Sequence, residues 1–166
     1  MINLPKQQTL IKNEYHDLFL DKETISMHFR LGDYKNIQES HPILTIEYYY
    51  NAICSITMNQ DKPYRILYFC QKNDNVDVSQ IILGLSNRFP SLEFVKVDDS
   101  IDDWKQLLIM STCSHNIIAN STYSWWAAWF NMNINKIVCY PNVWFGPIVS
   151  HDTCDLFPSS WTKIHW

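Results

Sequence analysis

Short apolar runs alternate with segments of helical periodicity along most of this chain. Five runs rich in β-branched and aromatic residues predict strands, each bounded by turn-forming or charged residues: Thr24–Phe29, Arg65–Cys70, Leu92–Val97, His115–Ala119 and Lys136–Tyr140. Apolar residues at helical spacing predict helices over Thr45–Met58, around Val78–Leu85, around Trp104–Met110 and from Thr122 to Asn131. Strands that alternate with such helices need crossover connections, so we predict a three-layer α/β domain with a mainly parallel sheet of about five strands.

The two ends of the chain are patterned differently from the middle. Residues 1–22 are polar and weakly periodic, which predicts a lead-in segment that depends on something upstream or on a partner for order. Residues 23–166 form the predicted domain. After Pro141 the pattern gives way to a tail rich in Trp, Pro and Phe, which we expect to pack back over the sheet.

Composition narrows the class of protein. The 166 residues are 46% apolar and 18% charged, which excludes a disordered chain. The net charge is −4 and Lys and Arg are not clustered, so we expect no nucleic-acid partner. No apolar run approaches the ~18 residues of a membrane span, and the N-terminus lacks a signal-peptide pattern, which predicts a cytoplasmic location. The five cysteines form no C-x-x-C pair, so we expect reduced thiols.

The scarcity of glycine restricts how a phosphate could be bound. The three glycines are far apart, so neither G-x-G-x-x-G nor a P-loop can be written. Ligands of open α/β sheets bind beyond the carboxyl ends of the strands, which directs attention to the residues that follow each strand.

The first candidate segment, from Met27 to Tyr34, ends the first predicted strand. His28 and Arg30 point to one side of that strand, and Gly32 with Asp33 supplies a turn. A strand-end Arg presents a fork of donors that matches two phosphate oxygens. The alternative is an ordinary strand end, with Arg30 solvated or paired to Asp33.

The second candidate segment joins the fourth strand to the fourth helix. Asn120, Ser121 and Thr122 are good N-cap residues, and a helix N-terminus with free N–H groups binds anions without a glycine-rich loop. Simple capping of an aromatic core helix is the alternative. The acidic run 98–103 is either a solvated loop or a contact to a ribose or base. No D-x-D, H-E-x-x-H or His/Cys cluster predicts a metal site.

Together the two segments resemble the α-1,2-fucosyltransferase family, glycosyltransferase family 11. The segment Ile25–Tyr34 is similar to that family's H-x-R-R-G-D-Y block, and Met110–Trp129 is similar to its second block. The resemblance covers roughly residues 24–146. It departs from the family pattern at Leu31, where the second Arg of the block stands, and at Gln106, where many relatives carry an acidic residue.

The resemblance implies a Rossmann-like domain similar to the C-terminal, donor-binding half of GT-B glycosyltransferases. Such an enzyme moves L-fucose from GDP-fucose to the 2-hydroxyl of a galactose-containing glycan acceptor, with inversion and without a metal or other cofactor. Catalysis then depends on a cleft between two domains, so the partner is a separate N-terminal-type domain or a second copy of the chain. Eukaryotic relatives are anchored in the Golgi membrane.

The resemblance also implies roles for individual residues. Arg30 binds the donor pyrophosphate, with His28 and Asp33 completing the catalytic set and Asp33 the nearest candidate for the general base. The expected donor-binding residues are Gly32, Asn120, Ser121, Thr122, Tyr123, Ser124 and Trp125. With Gln106 in place of the acidic residue, guanine recognition either falls to Asp102 or Asp103 or is weakened. Alternative readings are a non-catalytic domain that binds a GDP-sugar, a truncated half-enzyme, or a purely structural protein.

Overall fold

A six-stranded parallel sheet forms the centre of the computed structural model, which describes residues 3–58 and 62–166. The strands are β1 (Glu23–His28), β2 (Tyr64–Phe69), β3 (Glu93–Lys96), β4 (His115–Ile117), β5 (Val138–Pro141) and β6 (Thr162–Ile164). Their order across the sheet is β3-β2-β1-β4-β5-β6, and every neighbouring pair is parallel. This is the order of dinucleotide-binding Rossmann folds. The predicted three-layer α/β fold is confirmed, with β6 as an additional edge strand.

Helices cover both faces of the sheet. They are α1 (Leu4–Glu14), α2 (Ile46–Thr57), α3 (Asn75–Arg88), α4 (Asp103–Thr112) and α5 (Thr122–Phe130). The helices α2 and α3 pack on the face that carries Ile25 and Ile66, whereas α1, α4 and α5 pack on the face that carries Leu67 and Phe69. Alternate side chains of a strand point to opposite faces, so both faces of β2 are apolar. None of the helices in the described part of the chain combines the length and apolar character needed to cross a membrane.

The segment expected to be a lead-in contains helix α1, although residues 1 and 2 lie outside the described residues. Asn3 caps the helix by accepting a hydrogen bond from the Lys6 N–H at 3.1 Å. Ile11 is buried in the core formed with α4. The buried Gln8 donates to Ser111 Oγ and to the Phe130 carbonyl, each at 2.9 Å. These contacts attach α1 to α4 and to the end of α5.

The aromatic tail packs back on the sheet, as predicted. Trp144 and Trp161 are buried beside Val138 of β5, and Phe157 stacks on Tyr140 with 3.8 Å between ring centroids. The tail thereby covers the half of the sheet formed by β5 and β6. All five cysteines are free thiols.

A buried amide network joins β1 to β4, its neighbour in the middle of the sheet. Asn116 Nδ2 donates to Ser26 Oγ at 2.7 Å and to the Met110 carbonyl at 2.9 Å. Asn116 Oδ1 accepts a hydrogen bond of 2.8 Å from Asn131 Nδ2, which also donates to the Cys113 carbonyl. The network fixes the two strands below the edge where the candidate segments lie.

Candidate functional site

The direction in which the chain adds strands to the sheet reverses between β1 and β4. From β1 the chain proceeds to β2 and β3 on one side, and from β4 to β5 and β6 on the other. Loops after these two central strands diverge and leave a crevice at their carboxyl ends, where ligands of such sheets bind. The two candidate segments follow β1 and β4, so the topology brings Arg30 and Ser121 to the same edge of the sheet.

A cleft of about 330 Å³ opens at this edge, beside β1, β2 and the N-terminal turns of α4 and α5. Its volume falls within the range of small-molecule sites. The lining residues come from five segments of the chain: His28, Arg30, Phe69, Cys70, Gln71, Lys72, Asp99, Asp103, Gln106 and Tyr123. Four of the predicted site residues, His28, Arg30, Asp103 and Tyr123, therefore meet in one cavity.

Arg30 faces the cleft and is also part of an ion pair. Its Nη2 donates to Asp33 Oδ1 at 2.8 Å, and its guanidinium carbon lies 5.3 Å from the centroid of the Tyr34 ring. The ion pair between Arg30 and Asp33, which the sequence analysis gave as an alternative to phosphate binding, is therefore present. A guanidinium carries more N–H groups than this one bond uses, so Arg30 retains donors for a ligand. The Asp33 carboxylate is 61% exposed and is not among the described residues that line the cleft.

His28 is a neutral imidazole in the wall of the cleft. The side chain is buried, and burial, followed by the charge of Arg30, lowers the pKa of His28 to about 3. Its Nδ1 has no hydrogen-bond partner among the described residues, and its ring lies 5.5 Å from that of Tyr123. An unpaired buried polar atom costs ~1–3 kcal/mol, which a ligand that bonds to Nδ1 would recover. His28 is suited to hydrogen bonding and not to carrying a positive charge.

The buried His28 predicts that the protein loses stability in acid. The unfolded chain takes up a proton near the ordinary pKa of 6.5, whereas folded His28 resists protonation down to about pH 3. The stability that neutral His28 contributes is complete above pH 6.5 and declines as the pH falls toward 3. We expect the free energy of unfolding, measured with urea between pH 7 and pH 4, to fall less steeply in His28→Gln than in wild type. Parallel curves would contradict this assignment.

Gly32 allows the loop after β1 to pack on the loop after β2. Its φ of +28° is unfavourable for other residues, and a Cβ at this position would lie 2.3 Å from Gln71 Oε1. Its N–H donates to Asp74 Oδ2 at 2.8 Å, and Asp74 is only 1% exposed. Lys35 also donates to the Asp74 carboxylate. The sequence did not indicate this role for Asp74, which holds the Arg30–Gly32 loop in place.

The N-terminus of α5 has an exposed Thr122 and no side-chain cap. Ser121 is the N-cap residue, with extended backbone, and its hydroxyl makes no capping bond to the described helix. Tyr123 lines the cleft and donates through its hydroxyl to the Asp103 carbonyl, which fastens α5 to α4. Burial raises the pKa of Tyr123 and keeps its hydroxyl protonated. First-turn N–H groups without a capping side chain favour an anion nearby.

Comparison with known proteins settles the family. The model of glycosyl transferase family 11 matches residues 7–165. This chain belongs to glycosyltransferase family 11. The resemblance found in the sequence is thereby confirmed at the level of the family.

Two curated family 11 relatives come from Escherichia coli. The O-antigen biosynthesis glycosyltransferase WbnK is 32% identical over 144 residues, which cover 85% of this chain and 44% of the relative. An alpha-1,2-colitosyltransferase is 28% identical over an aligned length of 166 residues, and the alignment covers 96% of this chain and 54% of the relative. The family 11 chain described here thus spans about half the length of these relatives.

A solved structure supports the fold of this family 11 domain. The E. coli ADP-heptose lps heptosyltransferase II superposes with a TM-score of 0.57 at 10% sequence identity. The superposition covers 96% of this chain and 43% of that one. The domain therefore has the three-layer α/β fold of GT-B glycosyltransferases.

Three other predicted site residues, Asn120, Ser124 and Trp125, make contacts away from the lining of the cleft. Asn120 Nδ2 donates to the Pro42 carbonyl at 2.9 Å and to the Trp144 carbonyl at 3.3 Å, so it connects three loops. Ser124 is buried and donates to the Ser121 carbonyl at 3.3 Å. Trp125 points into the aromatic core, where its Nε1 donates to the Leu156 carbonyl at 2.9 Å. None of these side chains is among the described lining residues.

The acidic run after β3 contributes to the cleft at two positions. Asp99 accepts hydrogen bonds from Lys96 Nζ at 2.6 Å and Asn75 Nδ2 at 2.7 Å. Burial would raise the pKa of Asp99, but these two bonds outweigh burial and hold the pKa below its usual range. Asp103 lines the cleft beside Gln106. Carboxylates at this position can accept hydrogen bonds from sugar hydroxyls or base N–H groups.

Sequence reasoning missed the part of the cleft that follows β2. Cys70, Gln71 and Lys72 come directly after this strand and line the cavity. The strand-end rule that drew attention to Arg30 and Ser121 applies equally to them. The rule marks Lys72 as a candidate, and its place in this cleft follows from β2 lying next to β1.

Proposed function

We propose that this glycosyltransferase transfers L-fucose from GDP-fucose to the 2-hydroxyl of a galactose-type acceptor, with inversion and without a metal ion. The observation that carries the proposal is the convergence of Arg30 and His28 with the N-terminal turns of α4 and α5 at the β1–β4 crevice. Membership of family 11 supports the class of reaction. In the proposed step the acceptor oxygen bonds to the anomeric carbon as the carbon–oxygen bond to the diphosphate breaks, and the bonding electrons leave with GDP.

Arg30 is proposed to stabilise the leaving GDP. Negative charge grows on the diphosphate as the sugar departs, and a fixed donor aimed at that charge lowers the barrier by ~2.7–4 kcal/mol, by analogy with oxyanion holes. The N-terminus of α5 would add a favourable dipole through the turn at Ser121. His28 Nδ1 would form a hydrogen bond to the donor.

Other residues of the cleft are proposed to bind the nucleoside and to accept the proton. Asp103 and Tyr123 would contact the ribose or guanine, on the side of the cleft formed by α4 and α5. Asp33 is the candidate base for the acceptor hydroxyl, because its carboxylate is exposed and only Oδ1 is bonded to Arg30. Its place in the loop after β1 puts it beside the proposed phosphate site.

A second candidate donor is GDP-colitose. The relative named as an alpha-1,2-colitosyltransferase aligns with 96% of this chain. Colitose is L-fucose without its 3-hydroxyl, so both sugars present the same anomeric carbon and diphosphate. The proposed catalytic contacts to the diphosphate would serve either donor.

The alternative is a domain that binds the donor and needs another domain, or a second copy, for transfer. The chain covers 44% and 54% of the two curated relatives. GT-B chemistry takes place in a cleft between two domains, so transfer by this chain alone would require the acceptor side of the site to come from elsewhere.

The test is GDP release and product formation with purified protein, GDP-fucose or GDP-colitose, and a methyl galactoside. We expect transfer to the galactoside and none to its 2-deoxy analogue, which lacks the reacting hydroxyl. Binding of GDP-fucose with no transfer would favour the binding-domain alternative. Protein that does not bind GDP in calorimetry would overturn the proposed function.

A further inference from the structure

A nucleoside diphosphate bound in the cleft would need more positive charge than Arg30 supplies. A nucleoside diphosphate carries at least two negative charges, and Arg30 already shares its charge with Asp33. The residue after Arg30 is Leu31, which is 6% exposed and packs in the core against the α2–α3 side of the sheet. Asp99 and Asp103 place further negative charge in the wall. Within the described residues, a second cation must come from another segment.

Among the described residues that line the cleft, Lys72 is the one other cationic residue. Lys96 lies close by, but its ammonium donates to Asp99 Oδ1 at 2.6 Å and to the Val97 carbonyl at 2.8 Å. In the parts of the chain that the structure describes, the ammonium of Lys72 has no ion pair. The charge of Lys72 acts on Asp99 across the cleft wall, where it helps to hold the pKa of Asp99 down, but no described carboxylate is close enough to form an ion pair with it. An ammonium in this position is available to a ligand.

The loops that carry Arg30 and Lys72 are fastened to each other. Lys72 begins a short 3-10 turn, Lys72–Asp74, directly after β2. The last residue of this turn, Asp74, accepts the hydrogen bond from the Gly32 N–H at 2.8 Å. Gln71, which precedes the turn, packs its side chain on Gly32. The backbone positions of Arg30 and Lys72 are therefore set relative to each other by contacts on both sides of Lys72.

We propose that Lys72 binds the diphosphate of the donor together with Arg30, and supplies the positive charge absent at Leu31. This inference rests on the proposed function, because it concerns the same cleft. An ammonium on a flexible stem acts as a point charge toward phosphate oxygens, which suits a residue on the rim of the cavity. Lys72 thus makes the site selective for a nucleoside diphosphate over the nucleoside.

The test is calorimetry of GDP and guanosine binding to wild type and Lys72→Met, which removes the charge and keeps an unbranched side chain. We expect GDP affinity to fall about tenfold, with guanosine affinity unchanged, since the nucleoside carries no phosphate. Lys72→Arg should retain most of the GDP affinity. The matched control is Lys163→Met. Lys163 is an exposed residue of β6, the outermost strand on the far side of β4 and β5 from β1 and β2, so this variant should bind GDP as wild type does.

The outcomes separate this inference from the proposed function. Wild-type GDP affinity in Lys72→Met, with affinity lost in Arg30→Ala, would overturn the role of Lys72 and leave the proposed function standing. An equal loss of GDP and guanosine affinity in Lys72→Met would also overturn it, because it would indicate a structural role. Wild-type protein that binds no GDP would overturn both.

Discussion

Replacing Arg30 with alanine is expected to weaken GDP binding by roughly 10- to 100-fold while the protein stays folded. A charge-assisted hydrogen bond contributes ~1.5–3 kcal/mol, and a bidentate contact to phosphate lies at the upper end of that range. The fold should tolerate the change, because the side-chain contacts of Arg30 are a partly exposed pair with Asp33 and the ring of Tyr34. Such exposed pairs stabilise proteins by ~0–1 kcal/mol. Calorimetry with GDP and a thermal melt measure the two effects separately.

Arg88→Ala is the matched control for this experiment. Arg88 ends helix α3 just before β3 begins, at the amino ends of the strands, whereas the cleft lies at their carboxyl ends. Its guanidinium carbon lies 5.1 Å from the centroid of the Tyr50 ring. The same charge is removed from the protein, so a general electrostatic effect on GDP would appear in both variants. Equal GDP affinity in Arg30→Ala and Arg88→Ala would remove Arg30 from the proposed donor site. A second variant, Arg30→Lys, should recover part of the affinity, since it keeps the charge and loses the fork.

The central part of the fold could be predicted because its strands lie in short runs of β-branched and apolar residues. The runs that form β1, β2 and β4 are each bounded by polar residues, and helices of the expected length lie between them. Strand β6 has only three residues, of which one is buried, so its sequence shows no alternation of apolar and polar positions. Helix α1 buries only Gln8 and Ile11, which is too few for a visible apolar stripe. Both were missed because tertiary contacts, and not local pattern, define them.

The candidate site was predictable where a residue type and a strand end coincided. Arg30 and His28 met both conditions, and both lie in the cleft. Helix geometry explains why Tyr123 lines the cleft while Trp125 does not: successive residues of a helix point about 100° apart, so neighbours in sequence face different surroundings. Lys72 lines the same cleft because β2 is the neighbour of β1, which the sequence alone did not establish.

Replacing Asn116 with leucine is expected to lower the free energy of unfolding by about 3 kcal/mol, the largest stability effect of any change considered. The amide is 1% exposed and bonds to Ser26, the Met110 carbonyl and Asn131. Leucine has a similar size but no polar atoms, so these groups lose partners in a site that water does not reach. Each such loss costs ~1–3 kcal/mol. Urea unfolding measures the loss of free energy, as a shift of the midpoint with the slope against urea concentration unchanged.

The control for this change is Asn87→Leu, which places the same substitution at an exposed position of helix α3. Exposed substitutions of this kind alter stability by less than ~0.5 kcal/mol.

A double variant then tests whether the amides act as a network. Asn116→Leu combined with Asn131→Leu should lower the free energy of unfolding by less than the sum of the two single changes, because each single change already breaks the bond between the two amides. Strictly additive losses, or a loss below ~1 kcal/mol for Asn116→Leu, would show that the amides do not act as a network. Since Ser26 lies on β1 two residues before His28, a coupled network would connect the stability of the central strands to the placement of the cleft wall.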